Sequence, residues 1–246
     1  MSGSARALWH LPAVSLESEA IEAHAGVLRN RLLSIAGTHA DVRFASSLAA
    51  EDMVLVDAIA TSGAPIAIFT IDTGRLHDET LSMVEVTERH YGIRIARVKP
   101  SDDEVRAYVE RHGLDGFYDN EDARKACCQV RKVAPLNFAL AGASAWLTGQ
   151  RREQAVTRTQ LALSEMDEAR GIAKYNPLFD WSQDVVWSYL RHRTVPLHPL
   201  HRQGYPSIGC EPCTRAIRSG EDIRAGRWWW LRQDSKECGL HINAAQ

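Results

Sequence analysis

The 246-residue chain lacks long apolar segments and carries little excess charge of either sign. No stretch of about 18 consecutive apolar residues occurs, so the sequence predicts no membrane span. The N-terminal residues do not combine a charged start with an apolar run, and no secretory signal is predicted. A formal net charge of −2 argues against a general nucleic-acid-binding surface. These features favour a cytoplasmic protein that acts on a small molecule.

Cysteine is scarce, and the odd number of five excludes complete pairing in intramolecular disulfides. In a reducing compartment, cysteines more often serve metals or catalysis. Four thiolates can bind zinc or an iron–sulfur cluster, and an adjacent pair suits the separate metal corners of a cluster better than one tetrahedral ion. Cys127 and Cys128 could instead be buried apolar residues. The five are an adjacent pair, a CxxC knuckle and a singleton: Cys127, Cys128, Cys210, Cys213 and Cys238.

Apolar periodicity alternates between strand and helix patterns along most of the chain. This alternation predicts βαβ units and a mostly parallel sheet covered by helices on both faces. Ligands of such sheets bind at the carboxyl ends of the strands, where Ser46–Ser47, Asp72–Gly74 and Gly149–Gln150 should face one crevice. Helices are predicted near 16–36, 49–61, 77–91, 102–112 and 182–193, and strands near 42–47, 66–72, 93–98 and 145–148.

Six segments carry a resemblance to a known family, from about residue 40 to the C-terminus. The segments are SSLAAEDMVL (46–55), FTIDTGRL (69–76), KACCQVRKVAPL (125–136), TGQRREQAVTR (148–158), YPSIGCEPCTR (205–215) and ECGLH (237–241). They resemble the assimilatory adenylyl-sulfate and phosphoadenylyl-sulfate reductases. The resemblance implies an adenine nucleotide α-hydrolase-like α/β fold, with a Rossmann-like, mostly parallel sheet flanked by helices, a C-terminal lobe and a mobile tail.

The same resemblance implies a reaction, thioredoxin-dependent reduction of adenylyl sulfate to sulfite and AMP in sulfate assimilation. The Cys238 thiolate would attack the substrate sulfur to form an S-sulfocysteine, and thioredoxin or a similar dithiol protein would release sulfite. The two cysteine pairs match the branch of the family that carries one 4Fe-4S cluster. Members of the family commonly assemble as homo-oligomers, and the same is expected here.

The resemblance also implies a set of substrate-binding residues, several of them cations that would stabilise the developing negative charge. Lys132 lies four residues after Cys128, which is about one helical turn if this stretch is helical. Arg224 and Arg227 would share one face of a helix. His241 could support the Cys238 thiolate or bind a phosphate. The predicted set is Ser46, Ser47, Asp72, Gly74, Lys132, Gly149, Arg151, Arg158, Arg224, Arg227 and His241.

Three other functions compete with adenylyl-sulfate reduction. A phosphoadenylyl-sulfate reductase would share the fold, cluster and cysteine chemistry. An ATP pyrophosphatase would require an SGGxDS loop, from which residues 46–52 depart. A non-enzymatic zinc or iron–sulfur module is the third. The predicted organisation is an N-terminal helical segment (1–40), a nucleotide-binding and iron–sulfur reductase domain (41–220) and a C-terminal segment with the catalytic cysteine (221–246).

Overall fold

The computed structural model describes residues 7–154 and 158–231. Cys238 and His241 therefore lie outside the described residues. The helices are α1 (Ser18–Thr38), α2 (Ala50–Ser62), α3 (Asp78–Tyr91), α4 (Asp102–His112), α5 (Glu121–Cys128), α6 (Ala134–Leu140) and α7 (Gln183–His192). The strands are β1 (Val42–Ala45), β2 (Ile66–Ile71), β3 (Ala96–Val98), β4 (Ala145–Leu147), β5 (Ser164–Asp167) and β6 (Ile172–Tyr175). A π-helical turn, Gln129–Val133, joins α5 to α6.

The strands form one 6-stranded sheet in the order β3-β2-β1-β4-β6-β5. Every neighbouring pair is parallel except β5 and β6, which are antiparallel. The predicted α/β class and mostly parallel sheet are therefore confirmed. The strand order reverses direction between β1 and β4, so a crevice is expected at their carboxyl ends.

Side-chain alternation in the central strands separates two apolar cores, because successive residues of a strand point to opposite faces. Phe44 of β1 and Leu147 of β4 pack with the buried faces of α1, α2, α3 and α7. Trp146 and Phe69 point to the other face, where Leu136 of α6 covers them. Each central strand is buried on both faces, as parallel strands usually are.

The predicted helices and strands agree with the structure to within a few residues, but α5, α6 and the hairpin of β5 and β6 were not among them, and one expected helix is replaced by turns. The hairpin of β5 and β6 was not predicted, because SEMD and IAKY carry too few apolar residues for a strand pattern. The prediction that Arg224 and Arg227 lie on a helix is wrong, since residues 221–230 form turns. Within the described ranges, no helix is long and apolar enough to cross a membrane.

A buried carboxylate joins three of the helices on one face of the sheet. Asp57 of α2 is 4% exposed and accepts hydrogen bonds from the hydroxyls of Tyr91 (3.0 Å) and Tyr189 (2.5 Å). Arg193 adds a 3.1 Å ion pair from its Nε. Burial, followed by the charge of Asp57, raises the pKa of both tyrosines. Their hydroxyls therefore stay protonated and keep donating.

We expect Asp57→Ala to lower the free energy of unfolding by about 3 kcal/mol, because it leaves Arg193 and two buried hydroxyls without their shared acceptor. Urea denaturation monitored by circular dichroism measures the change. Asp102→Ala, at an exposed position in the first turn of α4, serves as the control. Equal stability of the two variants would contradict a structural role for Asp57.

Candidate active site

A cavity of about 270 Å³ opens where β1 and β4 end. Ser46 and Ser47 follow β1, and Thr148, Gly149 and Gln150 follow β4, and all five line the cavity. Trp146 and Leu136 add apolar surface to the wall. The volume is close to the lower end of the range for small-molecule sites. The cavity thus lies where a parallel sheet of this strand order binds its ligand.

The loop after β1 is held by its own side chains. The backbone N–H and the hydroxyl of Ser47 both donate to Oδ2 of Asp52 at 2.6 Å. The Leu48 N–H donates to the hydroxyl of Ser46 at 3.2 Å, and Leu48 itself has a φ of 61°. This left-handed conformation is uncommon for a branched side chain, so the loop is held by its contacts.

Helix α2 begins at Ala50, directly after this loop, and no side chain caps its N-terminus. The first N–H groups of a helix have no acceptor within the helix, and the helix dipole makes this end electropositive. Ala49, Glu51 and Asp52 line the cavity at this point. Such a helix end can bind an anionic group of a ligand.

Two acidic residues at the start of α2 have their charge offset by partners within the protein. Arg151, which is 2% exposed, forms a 2.8 Å ion pair with Glu51. Although burial favours the neutral acid, the charge of Arg151 holds the pKa of Glu51 below its usual value. Burial raises the pKa of Asp52 to about 6, opposed by hydrogen bonds from Ser47 and from the Gly149 backbone.

Gly149 is required by this arrangement for steric reasons. A Cβ at position 149 would overlap the carboxylate of Asp52 and lie 3.3 Å from Cβ of Glu51. Only glycine lets the end of β4 approach α2 this closely. Gly149 thus has a packing role against α2, and its role in substrate binding stays a prediction.

Basic side chains line the rest of the cavity and make it suited to an anion. They come from three separate parts of the chain: the π-helical turn, the loop after β4 and the turns before residue 231. Cationic groups fixed around a partly enclosed cavity attract anionic ligands and stabilise negative charge that develops in a reaction. The four basic residues are Lys132, Arg158, Arg224 and Arg227.

A second, smaller cavity of about 20 Å³ adjoins the first and is lined by sulfur atoms. Cys127 and Cys128 reach it from the end of α5, while Cys210 and Cys213 reach it from a 3₁₀ turn, Glu211–Cys213. None of the four forms a disulfide bond within the described ranges. The structure thus brings together the two pairs that are separated by more than 80 positions in the sequence.

The two cavities share part of their wall. Lys132, Cys210 and Trp228 line both of them. Burial opposes ionisation of the Cys210 thiol, but Lys132, a hydrogen bond with Thr73 and the charge of Arg227 together hold its pKa below the usual value. Burial and the neighbouring Cys210 raise the pKa of Cys213 to about 12. Lys132 is therefore positioned to act on both cavities.

A single metal ion and a larger cluster place different demands on such a site. Among the described residues, no group of three or more His, Cys, Asp or Glu side chains stands close enough to bind one metal ion. A zinc ion needs all of its thiolates about 2.3 Å from one point, whereas the thiolates of an iron–sulfur cluster bind separate irons. The donors around the small cavity are four thiols and no carboxylate, with Arg75, Arg131 and Lys132 beside them. This donor set fits a four-thiolate cluster of net negative charge.

The predicted substrate-binding residues divide into two groups by position. Asp72 and Gly74 follow β2 and do not line the cavity, and Asp72 instead lies 3.6 Å from Lys99. Arg151 does not line the cavity either, and its side chain forms the ion pair with Glu51 described above. The residues that line the cavity are Ser46, Ser47, Lys132, Gly149, Arg158, Arg224 and Arg227.

Some residues of the cavity were not expected from the sequence. Thr148 directly precedes the predicted Gly149–Gln150, so its position after β4 was a signal for it. Gln154 lines the cavity and accepts a 2.7 Å hydrogen bond from Arg158. Ser207, Ile208 and Gly209 precede the CxxC knuckle, and nothing in their residue types indicated that they face a ligand.

Comparison with known proteins assigns the family. The phosphoadenosine phosphosulfate reductase domain matches residues 41–216, which is most of the chain. The chain belongs to the phosphoadenosine phosphosulfate reductase family. The resemblance drawn from the six sequence segments is thereby confirmed.

Relatives within this reductase family cover nearly the whole chain. An adenosine 5′-phosphosulfate reductase of Burkholderia cepacia is 60% identical, over 86% of this chain and 84% of its own length. One of Neisseria meningitidis serogroup B is 54% identical over 96% of both chains. A crystal structure of phosphoadenylyl-sulfate reductase from Candida auris, in complex with phosphate, superposes with a TM-score of 0.66. It is 26% identical and covers 83% of this chain and 100% of that one.

The raised pKa of Asp52 in this reductase-family site predicts a pH dependence of stability. The folded protein binds the Asp52 proton more tightly than the unfolded chain does, so the contribution of Asp52 to stability falls as pH rises from about 4 to about 6. A shift of this size corresponds to about 2 to 3 kcal/mol. Asp52→Asn removes the titration but keeps the side-chain shape.

Urea denaturation of the native protein and of Asp52→Asn at several pH values between 4 and 8 measures this effect. The stability of the native protein relative to the variant should decline between pH 4 and pH 6 and then stay level. A difference that is constant over the whole range would show that Asp52 titrates normally in the folded protein.

Proposed function

We propose that the chain is an adenylyl-sulfate reductase, which reduces adenylyl sulfate (adenosine 5′-phosphosulfate) to sulfite and AMP. One observation carries the proposal: a basic cavity at the nucleotide-binding edge of the sheet shares Lys132 and Cys210 with a cavity lined by four thiols. A nucleotide joined to sulfate needs cations at its anionic end, and the four thiols beside it would hold a cluster of the kind that one branch of this family carries.

Charge complementarity supports a phosphosulfate ligand. The phosphosulfate group is anionic, and four basic side chains and the N-terminus of α2 face the cavity. The carboxylates of Glu51 and Asp52 do not repel it strongly, because Arg151 and Ser47 offset them. Trp146 and Leu136 provide an apolar wall of the kind that the adenine ring would require.

The reaction would proceed in two displacement steps. The Cys238 thiolate attacks the substrate sulfur, a sulfur–sulfur bond forms, and the bond from sulfur to the bridging oxygen breaks as AMP leaves. A thiolate of thioredoxin or a similar dithiol protein then attacks Sγ of Cys238 and expels sulfite. This leaves a mixed disulfide between Cys238 and the dithiol protein. The second thiol of the dithiol protein resolves it and releases the Cys238 thiolate, so the dithiol supplies both electrons. Lys132, Arg224 and Arg227 would stabilise the charge that moves onto the phosphate oxygens.

The position of Cys238 in the chain is compatible with this role. Trp228 lines the cavity, Leu231 is the last residue of the described range, and Cys238 follows seven positions later. Seven residues span at most about 25 Å even when fully extended. This length supports the proposal that Cys238 acts at the substrate cavity and then reacts with a protein thiol.

Cys127, Cys128, Cys210 and Cys213 would hold one 4Fe-4S cluster. The four thiols line one buried cavity, and Arg75, Arg131 and Lys132 beside it would offset the negative charge of a thiolate-bound cluster. When bound, the cluster would supply a local electrostatic field and a rigid link between α5 and the 211–213 turn. Lys132, which lines both cavities, is the residue through which this field would act on the substrate.

Two names among the relatives bear on the choice of nucleotide. The relatives with 60% and 54% identity are named for adenosine 5′-phosphosulfate, whereas the structural neighbour named for phosphoadenylyl sulfate is only 26% identical. The higher identity favours the substrate without a 3′-phosphate. Phosphoadenylyl-sulfate reduction is the second candidate, because the family includes it.

Sulfite release by anaerobically purified protein, with thioredoxin and either nucleotide, tests the proposal. We expect a higher kcat/KM for adenylyl sulfate than for its 3′-phosphorylated form. Cys238→Ser should lower turnover by at least about 10³-fold, because it removes the nucleophile. Preference for the phosphorylated form would change the substrate and keep the chemistry. Absence of sulfite from both nucleotides would refute the reductase function.

Iron and acid-labile sulfide analysis tests the cofactor. The native protein should contain about four of each per chain. Cys213→Ser removes one thiolate, and we expect its iron content to fall to less than about half and its activity with it. Cys238→Ser is the matched control, since it changes a cysteine outside the ligand set and should keep the iron. Zinc in place of iron, or full activity without iron, would overturn this assignment.

A further inference from the structure

The guanidinium of Arg227 occupies an unusual position in the cavity wall. Arg227 is 7% exposed, and the one hydrogen bond from its side chain within the described range runs from Nη1 to the carbonyl of Ile208, at 3.1 Å. Its buried Nε has no hydrogen-bond partner among the described residues. An arginine that has few hydrogen-bond partners among residues 7–154 and 158–231 has donors available for an anion. Its orientation must then be set by packing.

Gly209 provides one side of that packing. A Cβ at position 209 would lie 2.5 Å from Cζ of Arg227, 2.9 Å from Nη1 and closer still to Nη2. Three atoms of the guanidinium plane therefore face the Cα of Gly209 directly. The backbone of Gly209 is not in the left-handed region, so other residues could adopt its conformation. The glycine leaves room for the guanidinium of Arg227, which a side chain at position 209 would displace.

Trp228 provides a second contact. The Cζ of Arg227 lies 4.6 Å from the centroid of the Trp228 ring, and Arg124 stacks on the same indole at 5.1 Å. Trp228 is 1% exposed and has a φ of 42°, a rare conformation for a bulky residue. Its backbone N–H donates a hydrogen bond to the carbonyl of Cys213 at 3.1 Å.

We propose that Gly209 and Trp228 are positioning residues for Arg227. They hold its guanidinium between a bare backbone and an aromatic ring, so that its remaining N–H groups meet the anionic end of the substrate without a search over rotamers. The inference rests on the proposed reductase function and extends it to two residues that need not touch the substrate. Preorganised donors of this kind contribute most in the transition state.

Gly209 precedes Cys210, and Trp228 packs against the four-thiol cavity. Substitution of either residue could therefore lower activity by disturbing this cavity, and this effect must be distinguished from loss of the Arg227 position. A double-mutant cycle makes the distinction, since a residue that acts by positioning Arg227 has no effect once Arg227 is truncated. The set is Gly209→Ala, Arg227→Ala and the double variant. Gly26→Ala, in α1 with open space around the new methyl group, is the control for substitution of a glycine.

We expect Gly209→Ala to lower kcat/KM by roughly 30-fold in the native background and by less than about 2-fold in the Arg227→Ala background. Trp228→Phe keeps an aromatic face and should lose about 3-fold, whereas Trp228→Leu should lose about 10-fold, both only when Arg227 is present. Iron content and the midpoint of thermal unfolding should be the same in Gly209→Ala and Gly26→Ala.

Equilibrium binding of adenylyl sulfate by calorimetry, in the Cys238→Ser background to prevent turnover, gives the second readout. The same cycle should show weaker binding for Gly209→Ala only when Arg227 is present. An equal loss in both backgrounds, or no loss in either, would overturn the positioning role. If the native protein releases no sulfite while the binding cycle still shows coupling, the proposed reaction fails and the positioning of Arg227 stands.

Discussion

The reversal of strand order between β1 and β4 is the constraint on which the site depends. The connections that leave these two neighbouring strands diverge, which opens a gap between their carboxyl ends. The gap is narrow, because the loop after β4 packs against the first turn of α2 with Gly149 in contact with Asp52. The same packing leaves the helix N-terminus exposed to the cavity. Sheet topology and one close contact thereby define the position and polarity of the ligand site.

Placing charge beside a core is possible at the start of α2 because the acidic residues there have compensating groups. Arg151 and Glu51 form a buried pair, which would be costly if either were alone. Asp52 is satisfied by backbone and hydroxyl donors of the adjacent loop. The cations that face the cavity come from other elements, so their field is directed at the ligand. The ion pair of Arg151 and Glu51 therefore stabilises the fold, whereas a separate set of basic residues lines the cavity.

Much of the fold could be predicted from the sequence, because buried parallel strands and amphipathic helices leave a strong local pattern. The β5–β6 hairpin could not, since its strands are mostly polar and its turn around Gly171 resembles a loop. Yet this hairpin matters, because Asp167 accepts a 3.0 Å hydrogen bond from the Trp146 indole in the cavity wall. Contacts between distant segments of this kind carry no local signal.

The candidate site shows the same division between local and distant information. The residues after β1 and β4 were predicted correctly to share a crevice, because their position follows from topology alone. Asp72 and Gly74 follow β2 and do not line the cavity, although Thr73 between them does, and the carboxylate of Asp72 lies 3.6 Å from Lys99 instead. Arg224 and Arg227 both line the cavity, as their predicted grouping required, but they do so from a series of turns and not from a helix. Family resemblance identified them where periodicity could not.

The π-helical turn between α5 and α6 makes the length of this segment critical. A π turn contains one residue more than the α-helical turn it replaces. Its register directs Arg131 to the carbonyl of Thr73, at 2.9 Å, and the neighbouring Lys132 to the cavity wall. Deletion of one residue here would restore the α-helical register and rotate the adjacent cysteines by about 100° relative to α6. Homologous chains should therefore tolerate substitutions in residues 129–133 more readily than a change in their number.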